Sequence, residues 1–508
     1  MTEHVTTPAS AIGRVPPIAE AARRDIPAFV RPGDRLMTIG GRRVPAVSGL
    51  TLANVDPATE EPLASIPRGG AEDIDRAVRA AQQAFTDASW AGIDPDERGR
   101  ILFQIAAVID EHADELAAIE SHNMGMPLMM TRHMMAGVAQ IYRHYAGWPT
   151  KLYGHTVPTV GNRLGYTRKE PLGVVGLIWG WNGPMPQLAL KLAPALAAGN
   201  TTVLKPPEWA SLTTLRLAEL LESTDLPAGV VNVVTGTGAE AGEALIRHPG
   251  VAKIGFTGST ATGKHVHEVA SADLKRLTLE LGGKSPIVIC ADADLDAAAH
   301  GAAIGFLAGS GQACTAGTRL FVQDSIREEF IDRLVKVMDT FTVGDPFDPA
   351  TRMGPLAARQ HFERVTSYFE IAAQDGATIR AGGKRYGDRG FFVAPTLLTD
   401  VTPDMRVAKE EIFGPVGALM SFTDLDDAIV KANQTEYGLA ASVWTKDLST
   451  AHRLAAEIDA GTVWVNTHHE MTSGPMPFHG FKQSGIGGEG GFEAMDAYTR
   501  TKAVLIAL

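Results

Sequence analysis

Between residues 170 and 280 the chain alternates short apolar runs with stretches of helical spacing. Val174 to Ile178 is apolar and rich in β-branched residues, and a helix is predicted from Pro186 to Ala198, stopped by Gly199-Asn200. Thr201 to Lys205 reads as a strand, Ser211 to Ser223 as a helix and Val230 to Val234 as a strand. Ala241 to Arg247 follows as helix, Val251 to Phe256 as strand, Thr260 to Ala270 as helix and Leu277 to Leu279 as strand. Strands that alternate with helices in this way build a parallel sheet covered on both faces. Ligands bind such a sheet in the crevice outside the carboxyl ends of its strands.

Earlier in the chain, Ile74, Val78, Ala81 and Phe85 fall at helical spacing, and Ile101 to Ile119 reads as one amphipathic helix. A second α/β set is expected from Ser285 to about Asn466, beginning with strand 286–290, helix 294–308, strand 319–323 and helix 326–339. Lys151 to Thr167 alternates and carries glycines as a hairpin does, and Ala503 to Leu508 is an apolar strand. Exposed apolar strands pair across subunits, so a homodimer or homotetramer is expected. Residues 1–35 carry Pro16, Pro17, Pro27 and Pro32 without a hydrophobic period and read as an N-terminal extension.

Composition narrows the class. A chain of 508 residues outgrows one hydrophobic core, so at least two domains are expected. The net charge of -12 argues against a nucleic-acid partner, which needs a basic surface. No apolar run is long enough to span a bilayer, so no membrane partner is expected, and the start Met1-Thr2-Glu3-His4-Val5 lacks the look of a secretory signal. Two cysteines make no disulfide framework, which points to the cytoplasm. No Cys and His stand at metal-ligand spacing, so no metal is expected.

Those two cysteines differ. Cys290 ends the apolar strand Pro286-Ile287-Val288-Ile289 and reads as structural. Cys314 sits in Gly309-Ser310-Gly311-Gln312-Ala313-Cys314-Thr315, a run of small residues that lets a ligand approach. It reads either as a nucleophile or as part of an ordinary turn, and as a nucleophile it would need a base or a positive dipole. Glu280, at the carboxyl end of a predicted parallel strand and before Gly282-Gly283, is the best placed carboxylate to act with it. Phe256-Thr257-Gly258-Ser259-Thr260 is a strand, a glycine turn and a helix start, able to offer free amides to a phosphate. Asn182, in Gly180-Trp181-Asn182-Gly183-Pro184, is either a helix cap or an amide donor to an oxyanion.

Taken together, Trp181-Asn182, Lys205-Pro206-Pro207-Glu208, Phe256 to Thr260, Glu280 to Lys284, Gly311 to Cys314, Glu411-Ile412-Phe413-Gly414-Pro415 and Pro477-Phe478 resemble the aldehyde dehydrogenase superfamily, in its order and approximate spacing. The resemblance implies an α/β fold with a Rossmann-type NAD-binding domain, an α/β catalytic domain and a small β oligomerisation element. It divides the chain into an N-terminal extension (1–35), an NAD-binding domain (36–150 and 168–281), a catalytic domain (282–484) and an oligomerisation element (151–167 and 485–508). It implies that Cys314 attacks a small-molecule aldehyde to give a thiohemiacetal, that Asn182 and the Cys314 amide hold the oxyanion, and that Glu280 activates water to hydrolyse the thioester. Lys191 and Glu489 match a supporting pair that moves protons. For the cofactor, Lys205 and Glu208 match contacts to the adenosine ribose, Gly258 and Ser259 the pyrophosphate turn, and Glu411 and Phe413 the nicotinamide end, with Trp181 and Leu281 beside them. Glu208 favours NAD over NADP, although the family includes members that accept both. Gly183, Gln187, Ala308, Ala313, Thr315, Met471 and Phe478 fall at positions expected to line the aldehyde's path.

Departures from the family pattern are informative. Gly180 stands where Pro is usual, and Gly183 and Ala308 stand where large aromatics are common, which points either to a wide tunnel for a bulky, aromatic, terpenoid or medium-chain aldehyde or to drift compensated by other side chains such as Met471, His468 or Phe478. His479 replaces a usual Gly, and Gly488 a common Arg. Two alternatives remain: a dehydrogenase that passes its thioester to coenzyme A, and an inert binding protein of the same fold. Retention of Cys314, Asn182 and Glu280 favours the hydrolytic enzyme.

Overall fold

The computed structural model describes residues 26–470 and 474–508. Met471 and residues 1–25, which include most of the expected N-terminal extension, lie outside the described residues.

An eight-stranded sheet runs in the spatial order Arg42–Val44, Met37–Ile39, Val231–Val233, Thr201–Lys205, Val174–Ile178, Lys253–Thr257, Arg276–Glu280, Gly485–Ile486. Its five central strands are parallel. Each was legible as a strand because a run of β-branched and apolar residues is bounded by turn residues. The period of two sorts their side chains. Val174 and Val203 pack on one face with Ile74, Val78 and Ala81 of the helix Ala71–Thr86. Val175, Leu177 and Leu204 pack on the other with Leu188 and Leu192 of the helix Pro184–Ala197. Phe85 does not complete the buried stripe of Ala71–Thr86; the smaller Ala84 does.

From Val174–Ile178 the chain winds outward through Thr201–Lys205 and Val231–Val233, then returns to the opposite flank for Lys253–Thr257 and Arg276–Glu280. The winding therefore reverses between Val174–Ile178 and Lys253–Thr257, and the carboxyl ends of these two neighbours diverge into a crevice.

A seven-stranded sheet follows, in the order Thr378–Ala381, Thr396–Thr399, Val416–Phe422, Arg319–Gln323, Pro286–Ile289, Ala440–Trp444, Thr462–Val465. Only its first strand is antiparallel to its neighbour. The helices Leu295–Leu307 and Arg327–Met338 cover one face. In a third sheet, Thr499–Ala507 pairs along nine positions with Arg163–Pro171, whose other edge holds Thr156–Val157. Gly485–Ile486, grouped by sequence with the terminal strand, pair instead with Arg276–Glu280 in the first sheet.

Three further differences have local causes. The single helix expected over 101–119 is two, Pro95–Glu111 and Ala113–Met124, broken at His112 where the backbone leaves the helical region (φ -107°, ψ 18°). The helix expected from Ala241 opens earlier as a π turn, Gly238–Gly242, before Glu243–Arg247. The long helix Leu128–Ala146 was not anticipated; its buried stripe includes Thr131, Met135, Val138, Ala139, Tyr142 and Tyr145. Among the described residues, no helix is long and apolar enough to cross a membrane.

Candidate active site

Four adjacent parallel strands deliver their following residues to one edge of the first sheet: Lys205 and Glu208, Gly180 to Asn182, Gly258 and Ser259, and Glu280 to Gly283. The turn between Lys253–Thr257 and the helix Thr260–Ser271 requires glycine, since a methyl group at Gly258 would stand 2.6 Å from the Phe256 ring. Ser259 caps that helix, its Oγ accepting from the Thr262 amide at 3.2 Å. Helix amides left free here, with the helix dipole behind them, face the crevice and suit an anion. Leu281 packs against this helix at Gly263, where a methyl group would come within 2.3 Å of its side chain.

A cavity of about 380 Å³ opens at this edge, lined by Trp181, Asn182, Gly258, Ser259, Leu281, Cys314, Glu411 and Phe413 among others. The sequence-predicted catalytic cysteine and oxyanion asparagine thus share one cavity with six of the predicted cofactor residues, Trp181, Gly258, Ser259, Leu281, Glu411 and Phe413, whereas Lys205 and Glu208 stand outside its lining. Lys205 Nζ is buried and donates to Glu208 Oε2 at 3.2 Å, leaving the Glu208 carboxylate partly exposed at the crevice. Burial lowers the Lys205 pKa, and Glu208 opposes that fall. Glu411 Oε1 accepts from the Gly283 amide at 2.9 Å. Phe413, held at a positive φ of 62°, sets its ring edge-on to Trp181 with centroids 5.4 Å apart.

The loop carrying Cys314 is tightly specified. Gly309, Ser310 and Gly311 are left-handed in succession (φ 58°, 60° and 68°), a conformation that costs a non-glycine residue such as Ser310 about 1–2 kcal/mol. Ser310 Oγ donates to the Gly354 carbonyl at 2.7 Å, which helps hold it there. A methyl group at Gly311 would stand 2.3 Å from the Gly414 carbonyl oxygen, so this position excludes any side chain. Gln312 ties the loop on both sides, donating to Gly309 O (3.1 Å) and accepting from the Ala357 amide (2.9 Å). A methyl group at Gly283 would lie 2.3 Å from the Cys314 carbonyl oxygen, so the two glycine-rich turns noticed in the sequence are in direct contact. The Cys314 thiol is pushed up to about 12 by burial and by the nearby Glu411 and Glu280 carboxylates. Cys290 is pushed up to about 12 as well, by burial and Asp292, but is packed with Val288 and Phe321 of the seven-stranded sheet and does not line the cavity.

Glu280 is buried, 3% exposed, and neither carboxylate oxygen has a hydrogen-bond partner. Burial first, and the Glu489 charge second, hold its pKa well above the usual carboxylate range, while Lys191 pulls it down. Lys191 is fully buried and donates to Thr257 Oγ1 at 2.6 Å and to Glu489 Oε1. Glu489 reaches this point from Glu489–Gly490, paired with Pro477–Phe478, and so Phe478 lies across the ladder from it.

Asn182 does not cap the following helix; Gly183 occupies that position. Its Nδ2 donates instead to the Gln312 carbonyl (2.9 Å), and its Oδ1 accepts from Gln187 Nε2 (2.8 Å). Gln187, expected along the aldehyde's path, is thereby turned toward Asn182. A side chain at Gly183 would meet Gln187 Nε2 at 3.6 Å and the Met134 methyl at 3.9 Å, ordinary contacts that leave room. Gly309, beside the half-buried Ala308, faces the Met126 methyl. Met124, Met126, Met130 and Met134 cluster with Trp181, so methionines stand near both small positions. Ala313 is half-buried next to Cys314, whereas Thr315 is buried and donates its hydroxyl to His469 Nδ1 (3.1 Å), away from the cavity. His468 is also buried, bonded to Ser442 and the Thr315 carbonyl, and does not line the cavity.

Sequence reasoning missed His361 and Arg364, which line the cavity from the helix Arg359–Asp375. His361 Nε2 donates to the Phe413 carbonyl (2.7 Å), and burial drops its pKa to about 4. Arg364 donates to the carbonyls of Glu411 (2.6 Å) and Ile412 (3.0 Å). Their spacing of three places both on one helix face, the one signal the sequence offered. Among the described residues, no group of three or more His, Cys, Asp or Glu side chains could hold a metal ion.

The family model for the aldehyde dehydrogenase family matches residues 44–504. An aldehyde dehydrogenase from Enchytraeus buchholzi is 46% identical over 471 residues, 92% of this chain and 95% of the relative. Retinaldehyde dehydrogenase 3 from Mus musculus is 44% identical over 91% of this chain and 90% of the relative. The solved NAD+ complex of an aldehyde dehydrogenase from Bacillus cereus superposes with a TM-score of 0.92 at 43% identity, covering 94% of this chain and 97% of that one. With a nucleotide-type crevice and a half-buried thiol meeting in one cavity, and with relatives of this closeness, the chain belongs to the aldehyde dehydrogenase family.

Proposed function

We propose that this chain oxidises an aldehyde to the free carboxylic acid, using NAD and a covalent intermediate on Cys314. The observation that carries the proposal is the meeting of Cys314, the Asn182 amide and the crevice turn at Gly258-Ser259 in one cavity, with the unpartnered Glu280 within electrostatic reach of the thiol.

The crevice suits the cofactor. Ser259 and the helix behind it would hold the pyrophosphate, and Glu208 would accept from the adenosine ribose hydroxyls while repelling a 2′-phosphate. Trp181, Phe413 and Glu411 would hold the nicotinamide end. When bound, NAD supplies the acceptor for the hydride that leaves the aldehyde carbon.

The chain's own groups do the rest. Cys314 Sγ bonds to the aldehyde carbon as its proton passes to water; burial keeps that proton on sulfur, so the attack quickens as pH rises. The oxyanion that forms lies between the Cys314 amide and the second N–H of Asn182 Nδ2, donors fixed before the charge develops. After oxidation Cys314 carries a thioester. Glu280, whose raised proton affinity makes it a stronger base than an exposed carboxylate, takes a proton from water. The resulting C–O bond displaces Cys314 and releases the acid. Lys191 and Glu489, paired with each other and acting on Glu280 through their charges, would carry that proton onward.

The small residues Gly183 and Ala308, with flexible methionines nearby, favour a bulky, aromatic, terpenoid or medium-chain aldehyde. The name of the mouse relative, a retinaldehyde dehydrogenase, supports the same class. In this reading residues 36–150 and 168–281 serve NAD, 282–484 carry the catalytic loop, and the sheet formed by 151–167 and the terminal strand joins subunits through exposed Leu505 and Ile506.

Steady NADH formation from a bulky aldehyde without coenzyme A, lost in C314A and reduced to a single burst in E280Q, is the expected result. Turnover that required coenzyme A, or E280Q with wild-type steady rate, would overturn hydrolysis by Glu280; an inert wild-type enzyme across a graded aldehyde series would overturn the function.

A further inference from the structure

Resting on that reading, the geometry points to Gln187 as a positioning residue that fixes which edge of the Asn182 carboxamide faces the reacting carbon, in a relay anchored by the Gly180 backbone amide.

A carboxamide has a donor edge and an acceptor edge of nearly the same shape, so something must decide between its two orientations. Here the decision starts at the backbone. The Gly180 N–H can only donate, and its partner, at 2.9 Å, is Gln187 Oε1. With its oxygen committed to Gly180, Gln187 presents its NH2 to Asn182 Oδ1 at 2.8 Å. Asn182 must then turn its own NH2 the other way, where one hydrogen meets the Gln312 carbonyl at 2.9 Å and the second is left for the cavity that Asn182 and Cys314 both line. Reversing any amide in this series would oppose two donors and two acceptors. Each bond also polarises the next, which strengthens the terminal donor.

Gly180 is essential to this relay in two ways. A proline at 180 would have no N–H to give. Any side chain would be crowded as well, since a methyl group there would stand 2.9 Å from Asn182 Oδ1 and 3.3 Å from Gln187 Oε1. Glycine at 180 and glutamine at 187 therefore belong together, and Gly183 between them leaves the Gln187 amide uncovered.

The test is a double-mutant cycle in the intact enzyme, reading kcat/KM for one bulky aldehyde and the Kd for NAD by fluorescence. N182A should lose on the order of 10²–10³-fold in kcat/KM, as for removal of one oxyanion donor. Q187M, of similar length but without an amide, should lose roughly 10-fold or more with NAD affinity unchanged, and Q187M/N182A should lose no more than N182A. Q187E keeps the acceptor for Gly180 but, as a carboxylate, cannot donate to Asn182; it should be at least as impaired as Q187M above pH 8. Wild-type kcat/KM in Q187M, a Q187M loss repeated in full in the N182A background, or wild-type activity in Q187E would overturn the relay. Wild-type activity in N182A is a different failure: it would remove the oxyanion reading itself and leave the relay without a purpose.

Discussion

Replacing Lys191 with methionine removes the one ammonium that both neutralises Glu489 and restrains Glu280. The side chains of Lys191 and Glu489 are 0% and 5% exposed, so the carboxylate left behind has almost no water to turn to. Breaking a buried ion pair from one side costs about 3–5 kcal/mol. The lower end applies here, because Lys253 is also influenced by the Glu489 charge and remains in place. We therefore expect K191M to lose about 3 kcal/mol and K191M/E489Q to regain about half of that, since no unpaired charge is left. The same pair sets the base. Lys191 lowers the Glu280 pKa and Glu489 raises it, so the ionisation controlling hydrolysis should move to higher pH in K191M and to lower pH in E489Q. Urea unfolding followed by tryptophan fluorescence measures the first quantity, and the pH dependence of steady-state hydrolysis the second. A K191M loss below about 1 kcal/mol, strict additivity of the two substitutions, or pH limbs that move in the same direction would refute the reasoning.

Three further outcomes follow from the site. Cys314 and Glu280 both hold their protons more tightly than usual, and both must lose them to act, so the NADH burst and the steady rate should rise from pH 6 to pH 9; rates that fall across that range would contradict the assignment. Removing the Glu208 carboxylate by E208A should shift the ratio of kcat/KM for NADP over NAD by about 10-fold or more, equivalent to about 1.4 kcal/mol, and an unchanged ratio would show that Glu208 does not select the cofactor. G282A places a methyl group 2.5 Å from Glu411 Oε2 and displaces the carboxylate held by Gly283; KM for NAD should increase several-fold while the C314A-sensitive burst survives at saturating NAD.

Much of this site was legible because its residues stand where strands end. Val174–Ile178, Thr201–Lys205 and Arg319–Gln323 announce themselves by runs of β-branched or other apolar residues, and Glu280, Asn182 and Ser259 each stand at the end of such a run or just after it. Glycines at 258, 283 and 311 marked places where another atom occupies the space of a side chain. The break at His112 was invisible because apolar spacing resumes at Leu116 with no glycine or proline to mark the interruption. His361 and Arg364 were missed because only folding brings a helix more than forty residues after Cys314 to the cavity. Two departures that looked independent in the sequence are one: a methyl group at Gly488 would stand 2.0 Å from the His479 ring, so the histidine fills the space that glycine vacates.

The ladder between Arg163–Pro171 and Thr499–Ala507 has a bearing on how the molecule is made. Its nine pairs join segments more than 300 residues apart, and contacts of such long sequence separation form late. During synthesis, Arg163–Pro171 leaves the ribosome with no partner on this edge and stays so until Ala507 has been added. The same closing stretch brings in Glu489, so Lys191 is without its counter-ion for nearly as long. A chaperone that shields that strand on the nascent chain would protect its unpaired edge from aggregation and leave time for the ion pair beneath Glu280 to form.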